Sequence, residues 1–477
     1  MRTLINEITG LVGQEAELAG WIHARRDHGK LIFFDLRDRS GVAQCVITPE
    51  KSFYQEAGKI RPEWAVRVKG EVKRRPKGME NPDLPTGNFE VEIKALTVLN
   101  PSEPLPLPID GDGYEIDESV RLRYRYVDLR RPRLNKILQL RSKYARAVRD
   151  ALYDNCFTEV ETPMLTKATK EGARDFIVPS RMQPGKFYAL PQSPQQYKQL
   201  LMIAGVERYF QFARCIRDED LRADRGFEHT QVDIEMSFVE QQDVMAMVEK
   251  VVRQAVTQVG GKIKQNPFPV VAYAEAMKKY KADKFDLRTE EEKKEGVLAF
   301  AWVINFPFFK KVDRADVAEI RDGKSGWTFT HNPFSQPMPE YLTDHLAGKN
   351  IGDILTTQYD LVCNGYEVGG GSIRAHDPEV LRATLRIMGY TEEQIEASVG
   401  HMLEAFSYGA PPHGGIALGL DRHVMLLAGE ESLREVIAFP MTSGGQTAVM
   451  DAPCPVDPQQ LEELHLKIVE KTVKGKK

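Results

Sequence analysis

The sequence lacks a long apolar segment. Its longest nearly apolar run, from Val297 to Phe309, contains Asn305 and Pro307 and is shorter than the ~20 residues that span a bilayer. This run predicts a buried strand. The first ten residues, MRTLINEITG, have neither the basic nor the apolar region of a secretory signal. We therefore expect a protein that neither crosses a membrane nor is secreted.

Cysteine is also scarce, with five residues at scattered positions. No two of them form a CxxC pair or have the spacing of a zinc site, which predicts reduced thiols, a cytoplasmic protein and no zinc. A strong charge of either sign is missing too. The formal net charge is -4, so any contact with nucleic acid must come from local basic patches. The length of 477 residues allows two or three domains.

Residues 1 to 103 contain five short alternating segments separated by glycine-containing turns. This pattern predicts a small closed β-barrel of the OB type. Basic and aromatic side chains lie on these segments, among them Arg26 and Phe33. They suit a single nucleic-acid strand, because bases stack on aromatic rings and cations follow phosphates. Ordinary solvated surface is the alternative, and spacing alone leaves both interpretations open.

Residues 104 to 134 predict a linker. The proline-rich stretch PSEPLPLP (101–108) is stiff and marks a domain boundary. The basic run SVRLRYRYVDLRRPRLNK that follows is interpreted either as a solvated hinge or as a contact for a nucleic-acid backbone. Residues 135 to 477 form the remaining domain, which starts with an amphipathic helix from Lys136 to Asn155.

The stretch from Tyr209 to Phe238 carries the clearest pattern. Its two halves alternate and are joined by a charged loop, which predicts an antiparallel hairpin. Asp233 and Glu235 form an acidic face on the second strand, and Arg217 follows small residues on the first. A solvated surface is one interpretation, and a floor for a ligand with both charges, such as ATP with an amino acid, fits better. The apolar face of the second strand, which we expect to be half-buried, consists of Val232, Ile234, Met236 and Phe238.

Three blocks in this order carry a family resemblance: FTEVETPML (157–165), the hairpin (209–238) and the block 414–427 with its GLDR. They resemble motifs 1, 2 and 3 of class II aminoacyl-tRNA synthetases, and nearly the whole chain is similar to bacterial aspartyl-tRNA synthetases. The resemblance implies an α+β catalytic domain, an antiparallel sheet flanked by helices, after an OB-type barrel. It implies an AMP-forming aspartate-tRNA ligase and a homodimer that pairs through motif 1. A domain that bacterial relatives insert near residues 285–296 is absent.

The resemblance also assigns a nucleotide site. Arg217 and Arg422 are the expected catalytic residues, because guanidinium groups suit the α- and γ-phosphates of ATP and Arg422 is predicted at a helix start. Asp360 and Glu367 are implied to hold Mg²⁺ between the phosphates. The other residues expected to contact ATP are Asp218, Glu219, His229, Gly419, Leu420 and Asp421.

Recognition of L-aspartate is implied to depend on Lys198 and Arg374, which match residues that bracket the substrate β-carboxylate. Neutral asparagine would leave these cations unpaired. His331 matches a further residue that faces the substrate. Positions around the substrate amino group are Glu171, in a loop expected to close, Ser193, Gln195 and Asp233.

In the barrel, Arg26, Phe33 and Gln44 match residues that read the anticodon, with Phe33 as the stacking ring. His28 stands where strict family members tend to have an apolar residue. An imidazole can donate or accept a hydrogen bond, so His28 predicts that tRNA(Asn) is charged beside tRNA(Asp). A solvated turn residue is the alternative for His28. The two anticodons differ at one base.

Four positions depart from the usual pattern. Gly226 and His229 replace Gln and Phe in motif 2, and His229 is expected to stack on adenine while Gly226 leaves one ATP contact unmade. Asn332 stands in place of a second histidine. Cys156 follows the first helix where glycine is usual, and Asn155 is expected to adopt the left-handed conformation instead.

Two alternatives to an aspartate enzyme are open. An asparaginyl or lysyl enzyme on the same scaffold is disfavoured, because Lys198 and Arg374 both accompany Asp233. A nucleic-acid-binding paralogue without catalysis is expected to lose some of the phosphate residues, yet Arg217 and Arg422 are both present.

Overall fold

The computed structural model describes residues 2–169, 171–313 and 325–469. The chain divides into two compact units, Met1–Pro108 and Ile109–Lys477. In the described residues, no helix combines the length and apolarity that crossing a bilayer requires.

The first unit is the predicted barrel. Its strands close in the order β1-β2-β3-β5-β4, and alternation places Phe34 in the core while Phe33 stays partly exposed. A 3₁₀ helix, Ile5–Gly10, and the short helix α1, Tyr54–Ala57, accompany it. The strands are β1 (Glu15–His28), β2 (Leu31–Asp38), β3 (Gly41–Ile47), β4 (Ala65–Arg74) and β5 (Phe89–Asn100).

The second unit contains a mixed sheet of eight described strands in the order β11-β12-β15-β16-β17-β10-β9-β6. The pairs β11/β12 and β6/β9 are parallel, and the other neighbours are antiparallel. The strands of the sheet are β6 (Thr158–Glu159), β9 (Arg208–Ile216), β10 (Glu228–Ser237), β11 (Val270–Ala272), β12 (Phe300–Pro307), β15 (Leu355–Cys363), β16 (Tyr366–Ile373) and β17 (His413–Gly419). Two small hairpins are β7 (Ile177–Pro179) with β8 (Phe187–Ala189), and β13 (Phe309–Lys311) with β14 (Trp327–Phe329).

Helices surround this sheet. The predicted amphipathic helix is confirmed as α4, which starts with proline at its first turn and buries Ile137, Tyr144 and Val148. The helices are α2 (Glu118–Arg123), α3 (Arg125–Asp128), α4 (Pro132–Tyr153), α5 (Gln195–Ile203), α6 (Gln241–Gln258), α7 (Tyr273–Tyr280), α8 (Glu290–Lys294), α9 (Leu342–Ala347), α10 (Pro378–Ile387), α11 (Glu392–Phe406), α12 (Leu420–Ala428), α13 (Leu433–Val436) and α14 (Pro458–Glu463). The 3₁₀ helices are Pro339–Tyr341 and Ile351–Asp353.

The predicted hairpin is β9 with β10. The expectation that β10 is half-buried was wrong, because its acidic face is buried too: Asp233 and Glu235 are 0% exposed, since β10 lies inside the sheet and cationic side chains cover this face. Phe238 does not share the buried apolar face. The strand ends at Ser237, the backbone of Phe238 is left-handed (φ 58°), and its side chain is 69% exposed.

The turn after α4 also differs from the prediction. Cys156 itself adopts the left-handed conformation, with φ 62°, and Asn155 does not. Asn155 is instead held in the last turn, where its side-chain amide donates to the carbonyl of Ala151 at 2.7 Å. The left-handed backbone is therefore adopted by Cys156, a residue type for which this conformation is uncommon.

Three arginines of the basic run between residues 119 and 136 are neither solvated nor accessible to a nucleic-acid backbone. Arg121, Arg125 and Arg131 are at most 3% exposed and all bind the carboxylate of Asp128. Arg121 also forms a bidentate pair with Glu435, at 2.7 and 3.1 Å. Arg121 and Arg125 thereby link α2 and α3 to α13 and to the residues directly after it, which is a structural role.

Candidate active site

Two strands of the sheet provide the floor of the site. In β10, Asp233 and Glu235 lie opposite Ala417 and Gly415 of β17. These partners are small for a steric reason, since a Cβ on Gly415 would lie 2.2 Å from Oε2 of Glu235. Glycine at this position makes room for a buried carboxylate.

Four side chains form what we call the buried charge cluster: Lys198, Asp233, Glu235 and Arg374. Nζ of Lys198, on α5, lies 2.8 Å from Asp233 and 3.4 Å from Glu235. Arg374, directly after β16, donates to both oxygens of Glu235 at 2.8 and 3.0 Å. No member is more than 2% exposed, so each charge depends on the others for its solvation.

The two carboxylates of the cluster differ in their titration. Burial raises the pKa of Asp233, although Lys198 acts against it. Burial also acts on Glu235, but Arg374 and Lys198 outweigh it and lower the pKa of this carboxyl. Oδ2 of Asp233 is buried and lacks a hydrogen-bond partner among the described residues, so it is ready to accept from a ligand.

A second buried acceptor lies in the loop that leads to α5. Ser193 donates to Oε2 of Glu171 at 2.6 Å, while Oε1 of Glu171 is buried and lacks a partner in the described part of the chain. Burial raises the pKa of Glu171, against the charges of Arg217 and Lys198. The backbone amide of Gln195 donates to the Ser193 hydroxyl at 3.2 Å, and its side chain donates to Gln199. Glu171 and Asp233 therefore provide acceptors suited to an ammonium group.

A cavity of about 750 Å³ is lined by Arg217 and by the loop that joins β9 to β10, and we call it the nucleotide pocket after the ATP site predicted there. The amide of Arg217 donates to the carbonyl of Phe227 at 2.8 Å, and its Nε donates to the carbonyl of Gln192 at 3.2 Å. These two bonds fix the start of the side chain and its orientation. Asp218 and Glu219 also line the pocket and pair with Arg174 and Arg225.

Arg422 enters the same pocket from α12. As predicted it is near a helix start, and it donates to the carbonyl of Glu367 at 2.7 Å and to Asp224 at 3.0 Å. Asp421 is buried and accepts from the amide of Thr230 at 2.8 Å, which ties α12 to β10. Gly419 lines the pocket, whereas the side chain of Leu420 packs in the core.

Asp360 and Glu367 converge on neighbouring strands, β15 and β16. An oxygen of each lies within 3.3 Å of the point that a Cβ on Gly370 would occupy, so glycine leaves a space between the carboxylates. Burial and the charge of Glu367 raise the pKa of Asp360 to about 7. For Glu367, burial is outweighed by Lys284 and Arg422, which lower its pKa to about 2.

This pair fits Mg²⁺, which prefers oxygen donors and commonly takes one or two carboxylates with substrate phosphates. His331 lies beside the pair, with Nδ1 3.7 Å from Asp360 and its ring 4.5 Å from that of Phe306. Asn332 follows His331, at the position where relatives often have a second histidine. Its side-chain oxygen accepts from the amide of Phe334 at 3.0 Å and so shapes its own turn.

In the described residues 2–169, 171–313 and 325–469, no cluster of three or more His, Cys, Asp or Glu side chains is arranged to hold a metal ion.

The two departures from motif 2 belong to the lining of the nucleotide pocket. His229 and Gly226 line it, and burial together with Arg217 holds the pKa of His229 well below its ordinary value, so the ring is neutral. Phe227 packs edge-on against Phe176, with ring centroids 5.5 Å apart. A Cβ on Gly445 would lie 2.7 Å from the Phe227 ring. Phe227 therefore holds three chain segments together.

A family profile described as tRNA synthetases class II (D, K and N) matches residues 117–443, and one described as OB-fold nucleic acid binding domain matches residues 16–99. The chain belongs to the class II aminoacyl-tRNA synthetases. The catalytic profile covers the whole of the site described above.

Curated relatives place this synthetase more closely. It is 40% identical to the aspartate-tRNA(Asp/Asn) ligase of Corynebacterium jeikeium, over 95% of each chain, and 39% identical to that of Methylacidiphilum infernorum, over 97% and 96%. These relatives confirm the predicted aspartate-tRNA ligase family, and neither alternative is favoured. The first alignment spans 573 positions, more than the 477 residues here, in agreement with a missing inserted domain.

Solved structures show the same fold. The asparaginyl-tRNA synthetase from Pyrococcus horikoshii complexed with asparaginyl-adenylate aligns with a TM-score of 0.73 at 23% identity, over 93% of this chain and 98% of that one. Aspartyl tRNA synthetase from Entamoeba histolytica aligns with a TM-score of 0.70 at 21% identity, over 92% and 91%.

The anticodon residues expected in this synthetase share one barrel face. Arg26 lies directly opposite Phe33 in the β1–β2 register and forms a bidentate pair with Asp35, at 2.6 and 2.8 Å. Gln44 pairs with the carboxylate of Glu90 at 2.9 Å. His28, the last residue of β1, is exposed beside the turn Gly29–Lys30.

Three residues of the synthetase site could not be assigned from sequence. Glu235 was placed on the acidic face but received no role, although its position two residues after Asp233 on one strand was a usable signal. Lys284 and Phe227 had no such signal, because their contacts join segments far apart in the chain.

Proposed function

We propose that this class II synthetase activates L-aspartate with ATP and transfers it to the 3′ end of tRNA(Asp) and of tRNA(Asn). The observation that carries the proposal is the buried charge cluster next to the nucleotide pocket. Its cations, Lys198 and Arg374, suit the β-carboxylate of the substrate. The unpaired oxygens of Asp233 and Glu171 suit its ammonium group.

The first step needs no protein nucleophile. An oxygen of the aspartate α-carboxylate bonds to the α-phosphorus of ATP, the bond to the bridging oxygen breaks, and pyrophosphate leaves. Arg217 stabilises the charge that develops on the α-phosphate, and Arg422 orients the γ-phosphate. In the second step a ribose hydroxyl of the tRNA attacks the aspartyl carbonyl carbon and AMP leaves, with release of the hydroxyl proton.

Asp360 and Glu367 are the residues that would hold Mg²⁺. When bound there, the ion neutralises charge on the phosphates. The adenine ring stacks on His229, whose neutral imidazole offers a smaller platform than phenyl. Around the nucleotide, Asp218, Glu219, Gly419 and Asp421 form the pocket wall.

Discrimination against asparagine follows from charge. The side-chain amide of asparagine is neutral and forms no ion pair with Lys198 or Arg374, so these cations favour the β-carboxylate of aspartate. The same pair disfavours lysine, whose ammonium would meet two like charges.

The homodimer and the cytoplasmic location belong to this proposal. Motif 1 provides the edge strand β6 and the exposed side chains of Met164 and Leu165, which are 41% and 53% exposed. A two-fold interface through this edge would cover them. The tRNA substrates of the proposed reaction support a cytoplasmic location.

The test is aspartate-dependent exchange of pyrophosphate into ATP, followed by aminoacylation of separately prepared tRNA(Asp) and tRNA(Asn). Exchange is expected with aspartate, and with asparagine it should be at least ~10²-fold slower, because the neutral amide forms no ion pair with the buried cations. Charging of both tRNAs should follow. If no amino acid supports exchange, the result would favour the alternative of a nucleic-acid-binding paralogue without catalysis.

Relaxed tRNA choice is tested at His28. The native ratio of kcat/KM for the two tRNAs should be near unity, and His28→Leu should shift it toward tRNA(Asp) by roughly fivefold to tenfold, the low end for one altered base contact. Lys30→Ala is the control. If Lys30 contacts a phosphate, its loss should weaken the binding of both tRNAs equally, because phosphate contacts do not read the base sequence. Rejection of tRNA(Asn) by more than ~10³-fold in the native enzyme would show strict specificity.

A further inference from the structure

The segment between α7 and α8 lies against the carboxylate pair of the nucleotide pocket. It leaves α7 through Lys281, whose backbone is left-handed (φ 61°). Phe285 then packs on Tyr280 with ring centroids 4.3 Å apart and is only 5% exposed. The carbonyl of Phe285 accepts from the amide of Gly365, in the turn between β15 and β16, at 3.1 Å. This segment is therefore anchored on both sides of residue 284.

Lys284 is the residue that this anchor directs into the pocket. Its Nζ lies 2.8 Å from Oε2 of Glu367, and its side chain is 41% exposed and lines the cavity. A compact charge on a flexible four-carbon stem can move between partners.

The two oxygens of Glu367 have different neighbours. Oε2 binds Lys284, whereas Oε1 lies within 3.3 Å of the space beside Gly370 that Asp360 also borders. Arg422 donates to the backbone carbonyl of Glu367. A divalent cation between the two carboxylates would thus share Glu367 with an ammonium, and the two cations would repel each other.

We propose that Lys284 is a phosphate-binding residue that exchanges partners: it neutralises Glu367 until Mg²⁺ with a polyphosphate arrives, and then binds the β- or γ-phosphate. This inference rests on the proposed function, since it assigns a further ligand to ATP and to the pyrophosphate product. The exchange keeps the pocket close to charge balance in both arrangements. A fixed structural salt bridge is the competing explanation.

The two explanations predict opposite results for a metal ion alone. Lys284→Met keeps the length of the stem and removes the charge. If Lys284 competes with the metal, the variant should bind Mn²⁺ several-fold more tightly in the absence of nucleotide, as measured by electron paramagnetic resonance. It should also bind inorganic pyrophosphate with Mg²⁺ about tenfold more weakly, as measured by calorimetry.

A structural salt bridge predicts that both affinities fall together, and that result overturns the proposal. The proposal is also overturned if Lys284→Met leaves either the Mn²⁺ affinity or the pyrophosphate affinity unchanged. Lys284→Arg keeps a charge and should restore pyrophosphate binding to within a few-fold of the native protein. A thermal unfolding scan of each variant checks that the fold is intact.

Matched controls locate the effect. Lys278→Met removes a charge from the exposed face of α7 and should change neither affinity. In a Glu367→Gln background, Lys284→Met should no longer tighten Mn²⁺ binding, because the shared carboxylate is gone. Both measurements omit aspartate and tRNA. Failure of the aspartate exchange assay would therefore overturn the proposed function without changing these binding results, and the reverse also holds.

Discussion

The buried charge cluster and the nucleotide pocket hold similar charged groups in different surroundings. In the cluster, Lys198, Asp233, Glu235 and Arg374 are at most 2% exposed, and three of the contacts between them measure 2.8 to 3.0 Å. In the pocket, the side chains of Arg422, Glu367 and Lys284 are 22%, 27% and 41% exposed. One region is desolvated before substrate binds, and the other remains open to water.

This difference separates two kinds of recognition. A buried ion pair has given up its hydration, so removal of one partner leaves a charge that nothing solvates. An open pocket can rearrange its pairs and loses little stability when one is removed. We therefore expect aspartate recognition to be coupled to the stability of the fold and phosphate recognition to be largely independent of it.

The largest effect is expected in the buried cluster. Arg374→Met leaves Glu235 with Lys198 as its remaining cation and should lower the free energy of unfolding by ~3–5 kcal/mol, as measured by urea denaturation. It should also raise the KM for aspartate in the exchange assay more than the KM for ATP.

A second substitution tests whether the unpaired charge is the cause. Arg374→Met with Glu235→Gln removes both partners, so part of the stability should return while aspartate activation stays lost. A single variant as stable as the native protein would show that the cluster does not behave as a buried network.

The next effect belongs to the open pocket. Arg217→Ala should lower kcat/KM for aspartate-dependent exchange by at least ~10²-fold, the scale expected when one preorganised charge that stabilises the transition state is removed. Its unfolding free energy should change by no more than ~0.5 kcal/mol. Arg214→Ala is the control, since Arg214 lies on β9, three residues before Arg217, but is exposed and pairs with Glu228. Exchange that survives Arg217→Ala unchanged would remove Arg217 from the mechanism.

The fold was predictable where local alternation decided it. The strands β9 and β10 follow from side chains that alternate over the hairpin, and the barrel strands follow in the same way. Burial was less predictable. The sequence left a solvated face open for Asp233 and Glu235, because the cations that cover them come from α5 and from the residue directly after β16. Alternation says which residues share a face and nothing about what covers it.

The same limit explains the basic run. Arg121 and Arg131 are buried because Asp128 and Glu435 meet them in the fold, and Glu435 is about 300 residues distant in the chain. Charge density along a sequence cannot separate such a network from a nucleic-acid contact. The left-handed Cys156 was missed for a different reason, since asparagine tolerates that conformation better and stands directly before it.

A smaller effect is expected at the adenine platform. His229→Ala should raise the KM for ATP several-fold because a stacking surface of the order of 1 kcal/mol is removed, whereas His229→Phe should keep or lower it. Gly226 provides the comparison: Gly226→Gln restores the side chain usual in the family and should lower the KM for ATP. Equal KM values for the native protein and both His229 variants would exclude stacking on this ring.

The smallest effect is expected in the pH dependence of the free energy of unfolding, which shows whether the His229 ring is neutral or charged in the folded protein. Burial and Arg217 hold the pKa of His229 well below its ordinary value of 6.5, so the folded protein binds fewer protons at this site than the unfolded chain does. Stability should therefore rise with pH up to about 6.5 and be independent of His229 above it.

In His229→Phe this contribution disappears. The difference in unfolding free energy between the native protein and the variant should change by at most ~1.4 kcal/mol per pH unit below pH 6.5 and stay constant from pH 7 to 8, as measured by urea denaturation. A difference that keeps changing above pH 7 would mean that His229 becomes charged in the folded protein.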